Sequence, residues 1–383
     1  MGVQGALPPA GGRGVPEKST FHHPLLRPSL LVAVTYIVLI ILITLIHHYN
    51  VIHYIHIGTK FSQHDPKGFG GYDGQFYYQL ARDPFHAYQF MDNPPYRYQR
   101  ILYPLVVRLL SLGQTALIPY MLLLVNCLSS VLSVEIVARL LKKHGMSPWF
   151  SLALGFYFGQ TSACIFDTTE PFTYLLVCLG LLLIEEEYLT AATISMGLAV
   201  LSRETAILFP IGYTVFYLLR GRWKDMARFV ILALLPLPIW YAVLWKIFGS
   251  TGLTYAPPFE HIPFGGLFTF LYNPTLFWSL IGLMFVPTIG GCIFAASEIL
   301  KRHWNKAYLL LIWLLHLVLV TFMAQSSYQE FVSAGRISSG IVLATLLYGW
   351  QTRNKTLLWI SQYYTLTFAF YAFGVLFTRF VPT

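Results

Sequence analysis

The sequence predicts an all-α fold, a polytopic transmembrane helical bundle of about eleven membrane segments. Of its 383 residues, 56% are hydrophobic and only 11% are charged, whereas about a quarter of the residues in soluble domains are charged. Apolar runs long enough to cross a hydrocarbon layer recur along the whole chain rather than at one end. These runs are unbroken and do not alternate in polarity, which favours helices over a β-barrel.

The N-terminal part of the chain differs from the rest. Residues 1–27 are rich in Gly and Pro and have no apolar periodicity, which predicts a disordered cytoplasmic tail. Residues 28–383 are predicted to form a single transmembrane domain. Its first segment, about 29–47, is expected to remain as an anchor because no small-residue cleavage site follows it. The polar stretch 49–112 is predicted to form a long external loop that contains interfacial helices.

Ten further apolar segments are predicted after this loop, with one ambiguity. The stretch 188–219 is either one long helix or two short segments that meet at Arg203. Two short segments place the compact basic clusters on one side of the membrane, as the positive-inside tendency requires of short loops. The sequence therefore favours two. The predicted segments are 116–140, 149–166, 171–184, 188–202, 204–219, 229–248, 276–297, 307–324, 337–350 and 357–378.

This topology collects ionisable residues on the external face. Besides the first loop, the polar connections 166–171, 249–274 and 325–336 lie outside, together with the pair Arg203-Glu204. Ionisable residues in a membrane protein are candidates for a functional site. The N-terminus is then expected in the cytoplasm and the candidate site outside, in an integral, multi-pass membrane protein.

The first loop contains a Gly-rich turn, Gly70-Gly71-Tyr72-Asp73-Gly74, followed by an amphipathic stretch that begins with Gln75. Asp73 is the candidate catalytic carboxylate. The alternative is structural, because an Asp in front of a helix accepts hydrogen bonds from the backbone of the first turn.

A second string in the same loop reads Tyr96-Arg97-Tyr98-Gln99-Arg100. Arginine forks match the oxygens of a phosphate. The alternative is that Arg97 and Arg100 anchor the chain at the membrane interface. Their position close to the Asp73 turn favours a functional role.

The strings Tyr72–Tyr78 and Arg97–Pro104 resemble the first-loop pattern of bacterial GT-C-type glycosyltransferases. The strings Asp167–Pro171 and Leu201–Thr205 are also similar to segments of members of that superfamily involved in cell-surface glycopolymers. The resemblance implies a GT-C-like fold, a sugar donor linked to polyprenyl phosphate, and a catalytic acidic residue in the first external loop, which is Asp73 here. It also implies a place in the bacterial cytoplasmic membrane, with the active site outside.

Sugar transfer of this kind needs a general base near the acceptor hydroxyl and cations near the departing phosphate. Asp73 is predicted to be the base, with inversion at the anomeric carbon. Arg336 is predicted to bind the phosphate together with Arg97, Arg100 or Arg203. The further candidates for substrate binding are Tyr72, Gln75, Glu170 and Glu204.

No cofactor is expected, although Asp73 with Asp167 or Glu170 could bind a divalent metal. The expected partners are the lipid-linked sugar donor, a glycan or lipid acceptor and membrane lipids. Nucleic acid is not expected despite the net charge of +9, because the basic residues lie between hydrophobic runs. The four cysteines have no paired spacing and are interpreted as packing residues.

Two other functions are also compatible with a helical membrane protein. A secondary transporter or a flippase for lipid-linked glycans would also use broken helices and buried charges, but the chain shows no convincing internal repeat. An acyl- or phosphotransferase would need a His or Ser nucleophile arrangement, which the loops do not provide.

Overall fold

The computed structural model describes residues 27–300 and 307–377. The predicted tail 1–27 lies outside the described residues except for Arg27. Within the described ranges the chain is helical and contains no strand. The principal helices are α1 (Pro28–Ile46), α2 (Gly74–Arg82), α3 (Leu102–Leu110), α4 (Ile118–Lys143), α5 (Phe158–Ile165), α6 (Glu170–Glu185), α7 (Leu189–Ser202), α8 (Leu208–Leu219), α9 (Trp223–Phe248), α10 (Pro274–Leu300), α11 (Ala307–Thr321), α12 (Phe331–Thr352), α13 (Lys355–Ser361) and α14 (Tyr363–Phe377).

Five of the described helices, α1, α4, α9, α10 and α12, are long and apolar enough to cross a membrane. Helices α7 and α11 are apolar but shorter, as is the stretch Glu204–Leu219 that contains α8. The composition and these helices together make the chain a polytopic helical membrane protein, as the sequence predicts.

Two of the long helices contain a widened turn in front of a proline. The π-helical segments Phe229–Leu234 in α9 and Ile281–Phe285 in α10 are followed closely by Pro236 and Pro287. Proline has no N–H for the helical ladder and its ring crowds the preceding turn. The wider turn accommodates the proline without ending the helix.

The ambiguous stretch 188–219 forms two short helical segments, as the positive-inside argument predicts. Helix α7 ends at Ser202, Arg203 has extended backbone angles (φ −157°, ψ 126°), and a 3-10 turn from Glu204 to Ile207 leads into α8. Arg203 lies in the break between the two helices, and its side chain contributes to the site described below.

The predicted single helix 149–166 is wrong. A 3-10 turn and the one-turn helix Leu152–Gly155 precede α5, and the helical ladder is interrupted between Gly155 and Phe158. The N–H of Phe158 donates to the side-chain oxygen of Thr367 at 3.1 Å, so a residue of α14 replaces the missing helical carbonyl.

Helix α12 lies deep in the bundle, and its N-terminal part packs closely against α5. A Cβ placed on Gly159 would lie 2.1 Å from the carbonyl oxygen of Gly335. Only a glycine permits this approach of two backbones, the same principle by which small residues bring membrane helices together. The next residue after Gly335 is Arg336, so the close crossing fixes the position of that guanidinium.

The first loop is folded onto the bundle. Every residue of α2 from Gly74 to Ala81 is buried, and α2 packs against α3. It ends at Arg82 because the following Asp83 precedes Pro84, and a residue before proline is disfavoured in the helical region. This packing holds the start of α2, with Asp73 in front of it, at one fixed place.

Candidate active site

A cavity of about 380 Å³ opens between the connections that the sequence places outside. Its charged wall consists of four arginines and two aspartates, a net charge of +2 that suits an anionic ligand. The lining residues come from four separate parts of the chain and are Asp73, Asp92, Asn93, Tyr96, Arg97, Arg100, Arg203, Tyr255, Pro257, Ser326, Ser327, Ser333, Arg336 and Ile337.

Asp73 lies in the wall of this cavity and is held by two guanidinium groups. Arg97 Nη1 donates to Oδ1 at 2.8 Å, and Arg336 Nη2 lies 3.0 Å from Oδ2. The side chain is 23% exposed, so it is accessible from the cavity. It makes no cap hydrogen bond to the first turn of α2. The carboxylate of Asp73 therefore does not cap the helix, which was the structural alternative.

The protonation of Asp73 follows from these contacts. Burial by itself raises the pKa of the carboxyl, but the charges of Arg97, Arg336 and Arg100 outweigh burial and hold the pKa well below its ordinary value. At neutral pH the residue is an anion.

Arg97 is shared between two aspartates. Its Nε and Nη2 donate to the two oxygens of Asp92 at 2.8 and 2.7 Å, while Nη1 binds Asp73. Its guanidinium also lies over the ring of Phe76, 4.3 Å from the ring centroid. Arg97 is therefore fixed on three sides and faces the cavity, which is not the geometry of a freely exposed interfacial anchor.

Arg336 connects Asp73 to a fully buried carboxylate. Its Nε donates to Glu170 Oε1 at 2.7 Å, and its Nη1 donates to the hydroxyl of Tyr72 at 2.9 Å. Glu170 is completely buried at the start of α6, where Pro171 follows it in the first turn. Nη1 of Arg203 lies 2.5 Å from the same Glu170 oxygen. The carboxylate of Glu170 thus forms ion pairs with two arginines of the cavity wall.

Arg203 is the least satisfied cation of the wall. It is 3% exposed, and among the described residues its Nε has no hydrogen-bond partner. A buried guanidinium nitrogen without an acceptor is costly. Because Arg203 also lines the cavity, it is a candidate cation for binding an anionic ligand there.

Arg100, which is buried, has its own counter-ion in the partly exposed Glu204. Its Nε and Nη2 donate to the two oxygens of Glu204 at 2.9 and 2.6 Å, a bidentate pair. Glu204 therefore pairs with a residue of the first loop and not with the adjacent Arg203. This pair joins the loop to the break between α7 and α8.

The Gly-rich turn is positioned by steric constraints. A Cβ on Gly74 would lie 2.5 Å from the carbonyl oxygen of Phe166. The side chain of Gln75 accepts from the N–H of Gly58 at 3.0 Å and donates to the carbonyl of Gly70 at 2.7 Å. These contacts fix the backbone on both sides of Asp73.

The predicted site residues therefore divide into two groups. Asp73, Arg97, Arg100, Arg203 and Arg336 line the cavity. The other four predicted substrate-binding residues, Tyr72, Gln75, Glu170 and Glu204, are not part of its wall and instead hold the lining residues in place.

Sequence reasoning missed part of the wall, including Asp92, Tyr96, Tyr255 and the serines 326, 327 and 333. Asp92 could have been predicted as a partner of Arg97, because it lies five residues before Arg97 in the same polar string. The serines had no distinguishing pattern.

A metal site was left open for Asp73 with Asp167 or Glu170. In the described ranges no three His, Cys, Asp or Glu side chains come together in a way that could hold a metal ion. Glu170 is engaged by Arg336 and Arg203. Asp167 is completely buried, and neither of its oxygens has a hydrogen-bond partner among the described residues.

Comparison with known proteins gives one structural likeness. No family model and no curated protein matches the chain. The chain is similar to the crystal structure of ArnT from Cupriavidus metallidurans bound to undecaprenyl phosphate, with 13% identity over 90% of this chain and 76% of that chain. The TM-score is 0.43.

Proposed function

We propose that this chain is a membrane glycosyltransferase that moves a sugar from a polyprenyl-phosphate donor to a hydroxyl of a cell-surface glycan or lipid, on the non-cytoplasmic face. The observation that carries the proposal is the cavity in which the carboxylate of Asp73, 23% exposed, lies among four arginines. The resemblance of the first-loop strings to GT-C-type glycosyltransferases points to the same chemistry.

The arginines suit the phosphate of such a donor. Each guanidinium offers paired N–H groups that match phosphate oxygens. Arg203 lines the cavity and is paired with Glu170, and Arg336 is held by Glu170 and Tyr72 independently of Asp73. Both can therefore bind a phosphodiester without losing their support. Their positive charge then stabilises the phosphate as it leaves with an additional negative charge.

Asp73 is the proposed general base, and its present contacts define when it can act. A carboxylate whose pKa is far below neutral is a weak proton acceptor. When the donor phosphate takes the Nη2 of Arg336, Asp73 loses one of its two guanidinium contacts and its pKa rises. Donor binding thereby prepares the base, and Arg97 keeps it oriented.

The proposed step balances as a single displacement. The acceptor oxygen forms a bond to the anomeric carbon while the bond from that carbon to the phosphate oxygen breaks. The acceptor proton passes to Asp73, and polyprenyl phosphate leaves. Attack from the side opposite the leaving group inverts the anomeric configuration.

The proposal is tested by incubating the purified protein in lipid nanodiscs with a panel of radiolabelled polyprenyl-phosphate sugars and an extract of cell-envelope glycans and lipids. We expect label to move from the donor to an acceptor for at least one sugar. If the protein binds none of the donors and transfers none of the sugars, the proposal is refuted.

The role of Arg336 is tested by donor affinity. We expect Arg336→Ala to weaken binding of the polyprenyl-phosphate sugar, since it removes a guanidinium from the cavity wall. Arg82→Ala is the matched control, because Arg82 is exposed at the end of α2 and lies outside the cavity. Equal donor affinity of the two variants would contradict the assignment.

A further inference from the structure

Two cysteines meet in the interior, on helices α4 and α5. Sγ of Cys127 and Sγ of Cys164 are 3.0 Å apart. A disulfide has a sulfur separation of about 2.05 Å, so the two atoms need to approach by only about 1 Å to form a bond. The residues are 37 positions apart in the sequence, which is why their spacing gave no sign of a pair.

The surroundings of the pair are already tied together by a polar contact. Asn126, next to Cys127, donates from Nδ2 to the carbonyl of Thr168 at 3.0 Å. Thr168 follows Cys164 by four residues. Helix α4 therefore contacts the end of α5 and the connection after it on two adjacent residues, and the two sulfur atoms face each other within this contact.

The position along the bundle is compatible with an oxidising compartment. On the predicted topology α4 begins on the external side, and Cys127 is nine residues from its first residue, Ile118. Cys164 is three residues before Asp167, in the connection predicted to lie outside. Disulfides persist in proteins that face oxidising environments and are rare on cytosolic faces.

We propose that Cys127 and Cys164 form a disulfide that links α4 to the segment leading to Glu170. Both thiols lose a hydrogen and the sulfur–sulfur bond forms, while a disulfide-bearing thiol oxidoreductase accepts two electrons and two protons and becomes a dithiol. The link holds the connection 166–169 against α4 and so restrains the start of α6, where Glu170 supports Arg336 and Arg203. This inference is independent of the proposed transferase activity.

The test uses the full-length protein in isolated membranes, treated with diamide, a diazene that takes up two hydrogens from a pair of thiols. The protein is then unfolded without reduction in the presence of N-ethylmaleimide, which blocks every free thiol, and is digested with trypsin. A Cys178→Ser background is needed, because Cys164 and Cys178 fall in the same tryptic peptide, between Lys143 and Arg203. Cys292 serves as the internal control for an unpaired thiol.

We expect the peptides that contain Cys127 and Cys164 to be joined and lighter by two hydrogens, while Cys292 is alkylated after unfolding. Alkylation of both Cys127 and Cys164, at a diamide concentration that oxidises a free dithiol standard, would overturn the proposal. A second measurement compares melting temperatures with and without dithiothreitol. Reduction should lower the apparent Tm of the oxidised protein by roughly 5 °C or more. It should leave the Tm of the double variant Cys127→Ser/Cys164→Ser unchanged. An equal change of Tm in the two proteins would also contradict the disulfide.

Discussion

Glu170 provides a sharp test of how the site is supported. It is completely buried, and its Oε1 lies 2.7 Å from Arg336 Nε and 2.5 Å from Arg203 Nη1. The substitution Glu170→Gln keeps the shape of the side chain but removes its charge. Arg336 retains Asp73 and Tyr72, whereas Arg203 loses its carboxylate neighbour. Leaving one buried charge uncompensated costs about 3–5 kcal/mol.

The assay is thermal unfolding of the purified protein in detergent, followed by intrinsic fluorescence. A loss of this size corresponds to a fall in apparent Tm on the order of 10 °C. The matched control is Glu186→Gln just after the other end of α6, whose ion pair with Lys143 is exposed and contributes little. If the two variants unfold at the same temperature, the buried charge network does not support the site in the way described.

The remaining predictions concern the turn and the buried acid beside it. Gly74→Ala should destabilise the protein by about 1–3 kcal/mol, because the added Cβ would lie 2.5 Å from the carbonyl oxygen of Phe166. The control Gly70→Ala has open space around its Cβ and should leave the stability unchanged. Equal Tm values of the two variants would refute the steric argument. Burial raises the pKa of Asp167 well above its usual value, and the nearby Cys127 adds to this effect. The folded protein therefore favours the protonated acid. The resulting stabilisation is complete below about pH 3.9, the pKa of an Asp in the unfolded chain, and it is lost as the pH rises toward the pKa in the folded protein. Asp167→Asn should remove this loss of stability with rising pH, measured as Tm between about pH 4 and 7. If the Tm of the wild type and the Tm of the variant change in parallel over this range, the prediction is wrong.

The sequence was sufficient for the features that depend on local pattern and on membrane physics. Hydrophobic length located most helices, and the positive-inside tendency resolved 188–219 into two segments. The break before Phe158 was not predictable, because its N–H is satisfied by Thr367 from the last described helix. A contact over that distance in sequence leaves no local signal in a single chain.

The same distinction applies to the site. The sequence placed Asp73 and the arginines on one face, because chemistry and topology converge there. It did not reveal their partners. Glu204 pairs with Arg100 rather than with its neighbour Arg203, and Glu170 pairs with Arg203 and with Arg336, which is 133 residues further along the chain. Such pairing depends on the three-dimensional packing of distant segments.

The most direct test of the account is the rate of sugar transfer by Asp73→Asn in nanodiscs, with Asp65→Asn, in an exposed part of the same loop, as the control. We expect the Asp73 variant to lose about 10²–10⁴-fold in rate while it still binds the polyprenyl-phosphate donor, and the Asp65 variant to match the wild type. Transfer by Asp73→Asn at the wild-type rate would contradict the role of this carboxylate as the base.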